Sequence, residues 1–101
     1  MAVMDSVLAE ELDRLEALRA KFAAEAEALP AGTIVTKRKR GRPYAYRAYR
    51  EGKRVRTDYI GPIDGEAAAK AVRLADQRKT LVGELKAIDA DIERIKKMLN
   101  A

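Results

Sequence analysis

The chain has 101 residues, enough for one small domain, and it contains neither cysteine nor histidine. That composition removes thiol chemistry, most zinc sites and the usual general base near neutral pH, so no metal and no cofactor are expected. The net charge is +5, from 21 basic and 16 acidic residues, and it is unevenly spread. Residues 37–56 hold ten bases (Lys37, Arg38, Lys39, Arg40, Arg42, Arg47, Arg50, Lys53, Arg54 and Arg56) against the single acid Glu51. A basic middle between near-neutral flanks is a focused positive field, which recruits polyanions. No apolar run approaches the ~20 residues of a membrane span. Asp5, Glu10 and Glu11 stand where a signal peptide needs a basic start and an apolar stretch, so the expectation is a cytoplasmic protein.

In chain order, residues 4–29 read as a helix. Met1, Leu8, Leu15, Phe22 and Leu29 recur every seven residues, and Leu12, Arg19 and Ala26 fill the intervening seam positions. Asp5 or Ser6 is the expected cap, because a short side-chain oxygen accepts from free first-turn amides. Leu29-Pro30-Ala31-Gly32 ends the helix, since proline disfavours helical geometry at the residue before it.

The segment 33–60 breaks the seven-residue period. Its β-branched and tyrosine content, with turn signals at Gly41 and Glu51-Gly52, predicts three antiparallel strands at 33–39, 43–50 and 53–60. With Glu51-Gly52 as the hairpin loop, Arg50 pairs with Lys53 and Tyr44 with Tyr59. Alternation then sorts Tyr44, Tyr46, Ala48, Val55, Thr57 and Tyr59 onto one face. Ala45, Arg47, Tyr49, Arg54, Arg56 and Asp58 go to the other. The first face is expected to pack on the helices, leaving the second as a cationic panel. The first strand's register stays open, because a turn over Gly41-Arg42-Pro43 closes with two or three residues, with Pro43 starting an edge strand.

A second helix follows Gly61-Pro62, with Asp64 as the expected cap and Glu66 in its first turn. Ala67, Ala71, Leu74, Arg78, Leu81, Leu85, Ile88, Ile92, Ile95 and Leu99 keep a coiled-coil spacing. At ~1.5 Å per residue it is about 50 Å long and needs a partner for its stripe. The first helix, folding back antiparallel, places Leu8 near Ile88–Ile92 and Arg19 level with Arg78. Two buried guanidinium groups would be costly, so both are expected to reach outward to Glu16, Asp76 or Glu84, or to mark a subunit contact. The expected fold class is α+β: two long coiled-coil-like helices in an antiparallel hairpin flank a small three-stranded antiparallel sheet. The segments are 1–30, 31–63 and 64–101, forming one structural unit. Leu8, Leu15, Phe22, Leu74, Leu81, Leu85, Ile88, Ile92, Ile95 and Leu99 form the core or the oligomer seam, and a homodimer is expected because so small a core is marginal alone.

No nucleophile stands with a base and no glycine-rich phosphate loop is present, so the chain reads as a binding protein and not an enzyme. The first candidate site is the cationic panel, Arg47, Arg54, Arg56 and Tyr49, on a ribbon that fits the major groove of duplex DNA. The second is Lys37-Arg38-Lys39-Arg40-Gly41-Arg42 with Pro43, whose Arg-Gly-Arg-Pro resembles the core of the AT-hook. In that family the tetrapeptide lies in the narrow minor groove of A·T-rich DNA, where concentrated negative potential attracts arginine. The competing assignment makes it a hairpin tip, and an exposed tip can also probe a groove.

Leu29-Pro30-x-Gly32-Thr33-Ile34, then Gly41-x-x-Tyr44-x-Tyr46-x-x-Tyr49-Arg50-x-Gly52-Lys53, then Tyr59-Ile60-Gly61, resembles a family of small prokaryotic proteins known as a domain of unknown function. Its members carry coiled-coil helices around the hairpin and often sit among mobile-element or defence genes, which implies a regulator or an antitoxin-like partner. The hairpin is also similar to tyrosine- and base-rich hairpins of some transposases and to the three-stranded DNA-binding sheets of tyrosine integrases. The resemblance covers residues 29–61, and this chain departs from it in its richer arginine content and its Arg-Gly-Arg-Pro turn. The leading expectation is a DNA-binding accessory or regulatory protein, nucleoid-associated and dimeric through its helices. The rival is a protein–protein adaptor or antitoxin-like inhibitor docking a larger enzyme. An RNA-binding protein, with Tyr49 stacking on an unpaired base, is the third reading.

Overall fold

The computed structural model describes residues 3–101 and orders them as α1 (Val3–Glu27), β1 (Thr33–Lys39), β2 (Arg42–Glu51), β3 (Arg54–Pro62) and α2 (Glu66–Leu99). The α+β expectation holds: two helices flank one antiparallel sheet of strand order β1-β2-β3. The chain divides into two compact units, but the boundary falls inside α2 and not at residue 64. Thr80–Ala101 belong with the chain up to Ala28, while Leu29–Lys79 form the other unit. Among the described residues, no helix is long and apolar enough to cross a membrane.

In the helical unit the heptad residues close on one another. Leu15, Ile88, Ile92 and Ile95 are buried together, and Leu8, Leu12, Leu18, Phe22 and Leu99 pack round them. Burying such side chains stabilises by roughly 1.5–3 kcal/mol each. The 88–99 end of the seam is therefore covered within one chain, while Leu81 and Leu85 stay half-buried outside this cluster. Met1, the expected first seam residue, lies outside the described residues. Two expectations change. Arg19 does not lie level with Arg78, for its Nε donates to Asp89 Oδ1 at 2.5 Å, and Leu18 takes the inward place instead. The register is thus displaced by about ten residues from the expected one. Sliding Leu15 onto the isoleucine run at 88–95 buries the bulkiest side chains and gives Arg19 a carboxylate on the surface.

The caps differ as well. The helix already runs from Val3, so Asp5 lies in its first turn, where its charge favours the positive end of the dipole. At the other helix Ala69 N–H bonds Gly65 C=O at 3.1 Å, which makes Gly65 the cap and leaves Asp64 one position outside.

The sheet unit is built by two tight turns. Lys39 pairs with Arg42 across Arg40-Gly41, whose φ values of 54° and 80° define a left-handed two-residue turn. Glu51 pairs with Arg54, so the second loop is Gly52-Lys53 and not Glu51-Gly52. Gly52, at φ 62°, takes the first loop position, where a turn of this hand requires a residue without a Cβ penalty. Arg50 consequently pairs with Val55, and Tyr46, not Tyr44, stands opposite Tyr59. This two-residue displacement preserves which side chains share a face. A bulge beyond Tyr46 then sets Ala45 against Gly61 and Tyr44 against Pro62. Pro43 lies near the start of the central strand, where its carbonyl accepts from Ile63 N–H at 3.4 Å, and not on an edge.

Candidate nucleic-acid interface

The strand registers place Thr33, Val35, Lys37, Lys39, Arg42, Tyr44, Tyr46, Ala48, Arg50, Val55, Thr57 and Tyr59 on one side of the sheet, here the tyrosine face. Ile34, Thr36, Arg38, Ala45, Arg47, Tyr49, Arg54, Arg56, Asp58 and Ile60 occupy the other, the arginine face. The expectation had the tyrosine face packing on helix. The reverse is found. Ile34, Arg47 and Ile60 share a groove of about 330 Å³ with Ala67, Ala71 and Leu74 of the first half of α2. Ala45 and Ala68 are fully buried there, and a Cβ on Gly61 would come 3.8 Å from that of Ala67. Small residues on both sides let the helix approach closely, which a row of tyrosines does not.

The tyrosine face is open to solvent at Tyr59. Lys39, Arg40, Arg42, Tyr44, Tyr46, Thr57 and Tyr59 line a shallow basin of about 910 Å³. Tyr46 forms its floor and is buried, with the Tyr59 ring 5.4 Å away in an edge-to-face contact at 68° and Tyr44 tilted against Tyr59 at 6.1 Å. Lys37 Nζ and Lys39 Nζ stand 5.0 and 5.6 Å from the Tyr46 ring centre, and Lys37 also donates to Thr57 Oγ1 at 3.4 Å. Ammonium groups over an aromatic face keep their charge while their stems cover the ring. Lys39 holds its proton more tightly than an ordinary lysine, first through its hydrogen bond with the Tyr46 hydroxyl and second through the charge that phenol can carry.

The arginine face is partly neutralised, two of its four arginines having a carboxylate. Arg47 donates from Nη2 to Asp58 Oδ2 and from Nη1 to Ala31 C=O, each at 3.1 Å, and lies 4.6 Å from the Tyr49 ring centre. Arg56 Nε meets Glu51 Oε2 at 2.6 Å. Of the panel expected to touch DNA, Arg47, Tyr49 and Arg56 are thus engaged within the sheet, and Arg54 lies exposed beside the second turn. Of the run 37–42, Lys39, Arg40 and Arg42 line the basin and Lys37 overhangs Tyr46, whereas Arg38 turns to the other face and donates to Gly41 C=O at 3.3 Å. Arg40-Gly41-Arg42-Pro43 is folded back as a hairpin turn, with Arg42 and Pro43 already paired in the strand, and not stretched as an AT-hook crescent. Tyr44, Tyr46, Thr57 and Tyr59 are the site residues that the sequence reading turned inward. The first strand's register was the missing fact, because it alone carries Lys37 and Lys39 onto their side.

The fold and this basin together define a small α+β protein with one cationic, aromatic sheet face. The chain belongs to the family described as Domain of unknown function (DUF6788), whose profile matches residues 7–69. That match takes in most of α1 and the first turn of α2, a wider span than the hairpin motifs alone. No curated protein and no solved structure matches the chain.

Proposed function

We propose that the protein is a non-enzymatic nucleic-acid-binding protein, with an accessory or regulatory role, whose contact surface is the tyrosine face. One observation carries this reading. Lys37, Lys39, Arg42 and Arg50 share that face with no carboxylate among them, and Arg40 stands at its tip. The ordinary alternative is a solvated surface, and the arginine face comes nearer to that, since Asp58 and Glu51 pair with two of its four arginines. Four cations on one side of a sheet without a carboxylate, against two of four paired on the other, support a polyanion as the missing counter-charge. The proposed surface lies on one chain, so the proposal stands for one copy or for two.

Purified, nuclease-treated protein titrated with labelled oligonucleotides at several salt concentrations tests it. If four or five of these cations meet phosphates, the log–log salt slope is about −3 to −4.5. Lys37→Gln/Lys39→Gln/Arg42→Gln lowers affinity by about tenfold or more and flattens the slope by about 2, each cation accounting for roughly one phosphate. A slope near zero overturns the proposal.

A further inference from the structure

Resting on that reading, we infer that the polyanion is single-stranded nucleic acid, with an unpaired base stacked on Tyr59. Tyr59 is 58% exposed and Val55, further along the same face of β3, is 64% exposed, so the face offers apolar surface to water beside its cations. The ring of Tyr59 is nevertheless held by its edge-to-face contact with Tyr46 and flanked by Tyr44. A ring fixed by its neighbours yet open to solvent is a ready stacking platform, and its ordering cost is already met in the free protein. Lys39, Arg40 and Arg42 line the same basin, within reach of the phosphates flanking a base on that platform.

A duplex uses this arrangement poorly. Its base faces are hidden in the stack, and its grooves offer only edges and phosphates. Reading those edges calls for free arginine donors on a protruding surface. On the opposite side Arg47 and Arg56 are tied to Asp58 and Glu51, which leaves Arg38 and Arg54 as that side's exposed arginines, one at each turn.

The test compares an oligo(dT) strand of about 30 nucleotides, a mixed-sequence strand and the corresponding duplex at equal salt, with wild type, Tyr59→Ala, Tyr59→Leu and Tyr59→Phe. The expected result is single-strand binding at least tenfold tighter than duplex binding. Alanine should lose about tenfold, leucine nearly as much, and phenylalanine little, since stacking needs the ring and not the hydroxyl. Tyr59→Leu keeps apolar contact with Tyr46, so it reads stacking even where alanine loosens the sheet. The chain has no tryptophan, so quenching of intrinsic tyrosine fluorescence by oligo(dT) reports stacking in the unmodified protein. Equal or tighter duplex binding, or Tyr59 variants that bind like wild type while Lys37→Gln/Lys39→Gln binds weakly, overturns the stacking inference and leaves phosphate binding standing. Binding to none of the probes overturns both.

Discussion

The two faces of the sheet come from the same three strands and the same residue types, yet they are put to opposite uses. On the arginine face two of the four arginines have a carboxylate within their own unit: Arg47 takes Asp58 and the Ala31 carbonyl, and Arg56 takes Glu51. On the tyrosine face the cations lean on a ring, Lys37 and Lys39 over Tyr46, and no carboxylate joins them. A cation resting on an aromatic keeps its full charge for an outside partner, whereas one in an ion pair has spent most of it. Arginine content alone therefore misleads about where a polyanion binds. The covered face should answer to mutation in stability, and the open one in binding.

The largest effect is expected where β1 enters the sheet. Gly32 has φ 105°, and a Cβ there would lie 2.3 Å from Ala48 O and 3.0 Å from Tyr49 Cβ. Neither the backbone conformation nor the space admits a side chain, and a strand carbonyl cannot yield as a flexible side chain does. Gly32→Ala should cost on the order of 3 kcal/mol in urea unfolding, near the upper end for single substitutions. Binding per folded molecule should not change. A cost below about 0.5 kcal/mol, the scale of an ordinary surface substitution, would mean that the chain enters the sheet along another path.

A paired experiment of intermediate size sets the faces against each other directly. Arg47→Ala removes the Asp58 ion pair, the bond to Ala31 and the contact with Tyr49. With a side chain only 29% exposed, Arg47 should contribute about 1–2 kcal/mol. Nucleic-acid affinity should move less than about twofold, which is under half a kcal/mol. Lys37→Gln/Lys39→Gln should do the converse, staying within about 0.5 kcal/mol of wild-type stability while binding falls. If instead Arg47→Ala abolishes binding at unchanged stability, the arginine face is the contact surface and the assignment of faces inverts.

How far the sequence announced this arrangement depends on the residue. The helices and strands were legible because their periods differ: leucine and isoleucine at seven-residue spacing against alternation at 44, 46 and 48. Which residues share a strand face was legible too, and it survived a pairing register displaced by two. Which face meets α2 was not. That depended on Ala45, Gly61 and Ala68, small residues whose importance lies in the close approach they permit, and small residues carry little pattern of their own. It also depended on the Arg40-Gly41 turn, where an arginine adopts φ 54°, a conformation more usual for asparagine or glycine. The helix register was hidden for a similar reason. A heptad repeat fits several alignments about seven residues apart, and the Arg19–Asp89 pair that marks the actual one spans 70 residues of sequence.

The smallest expected effect sharpens the comparison at one hydroxyl. Lys39 holds its proton above the ordinary lysine value of 10.5, chiefly through its hydrogen bond with Tyr46. A group whose folded value is raised contributes stability in full below its unfolded value, and that contribution fades as pH rises through the folded one. The window is therefore alkaline, and neither folding nor binding near neutral pH should sense it. Tyr46→Phe keeps the ring beneath the ammonium and deletes the oxygen. Side-chain NMR titration of Lys39 in that variant should show its midpoint falling back towards the ordinary value, while affinity for single strands at neutral pH changes less than about twofold, under half a kcal/mol. A midpoint that stays raised would assign the effect to the ring and its neighbours Tyr44 and Tyr59. A midpoint that returns while binding collapses would mean that the hydroxyl itself touches the ligand, making Tyr46 a contact residue and not merely the floor on which the lysines rest.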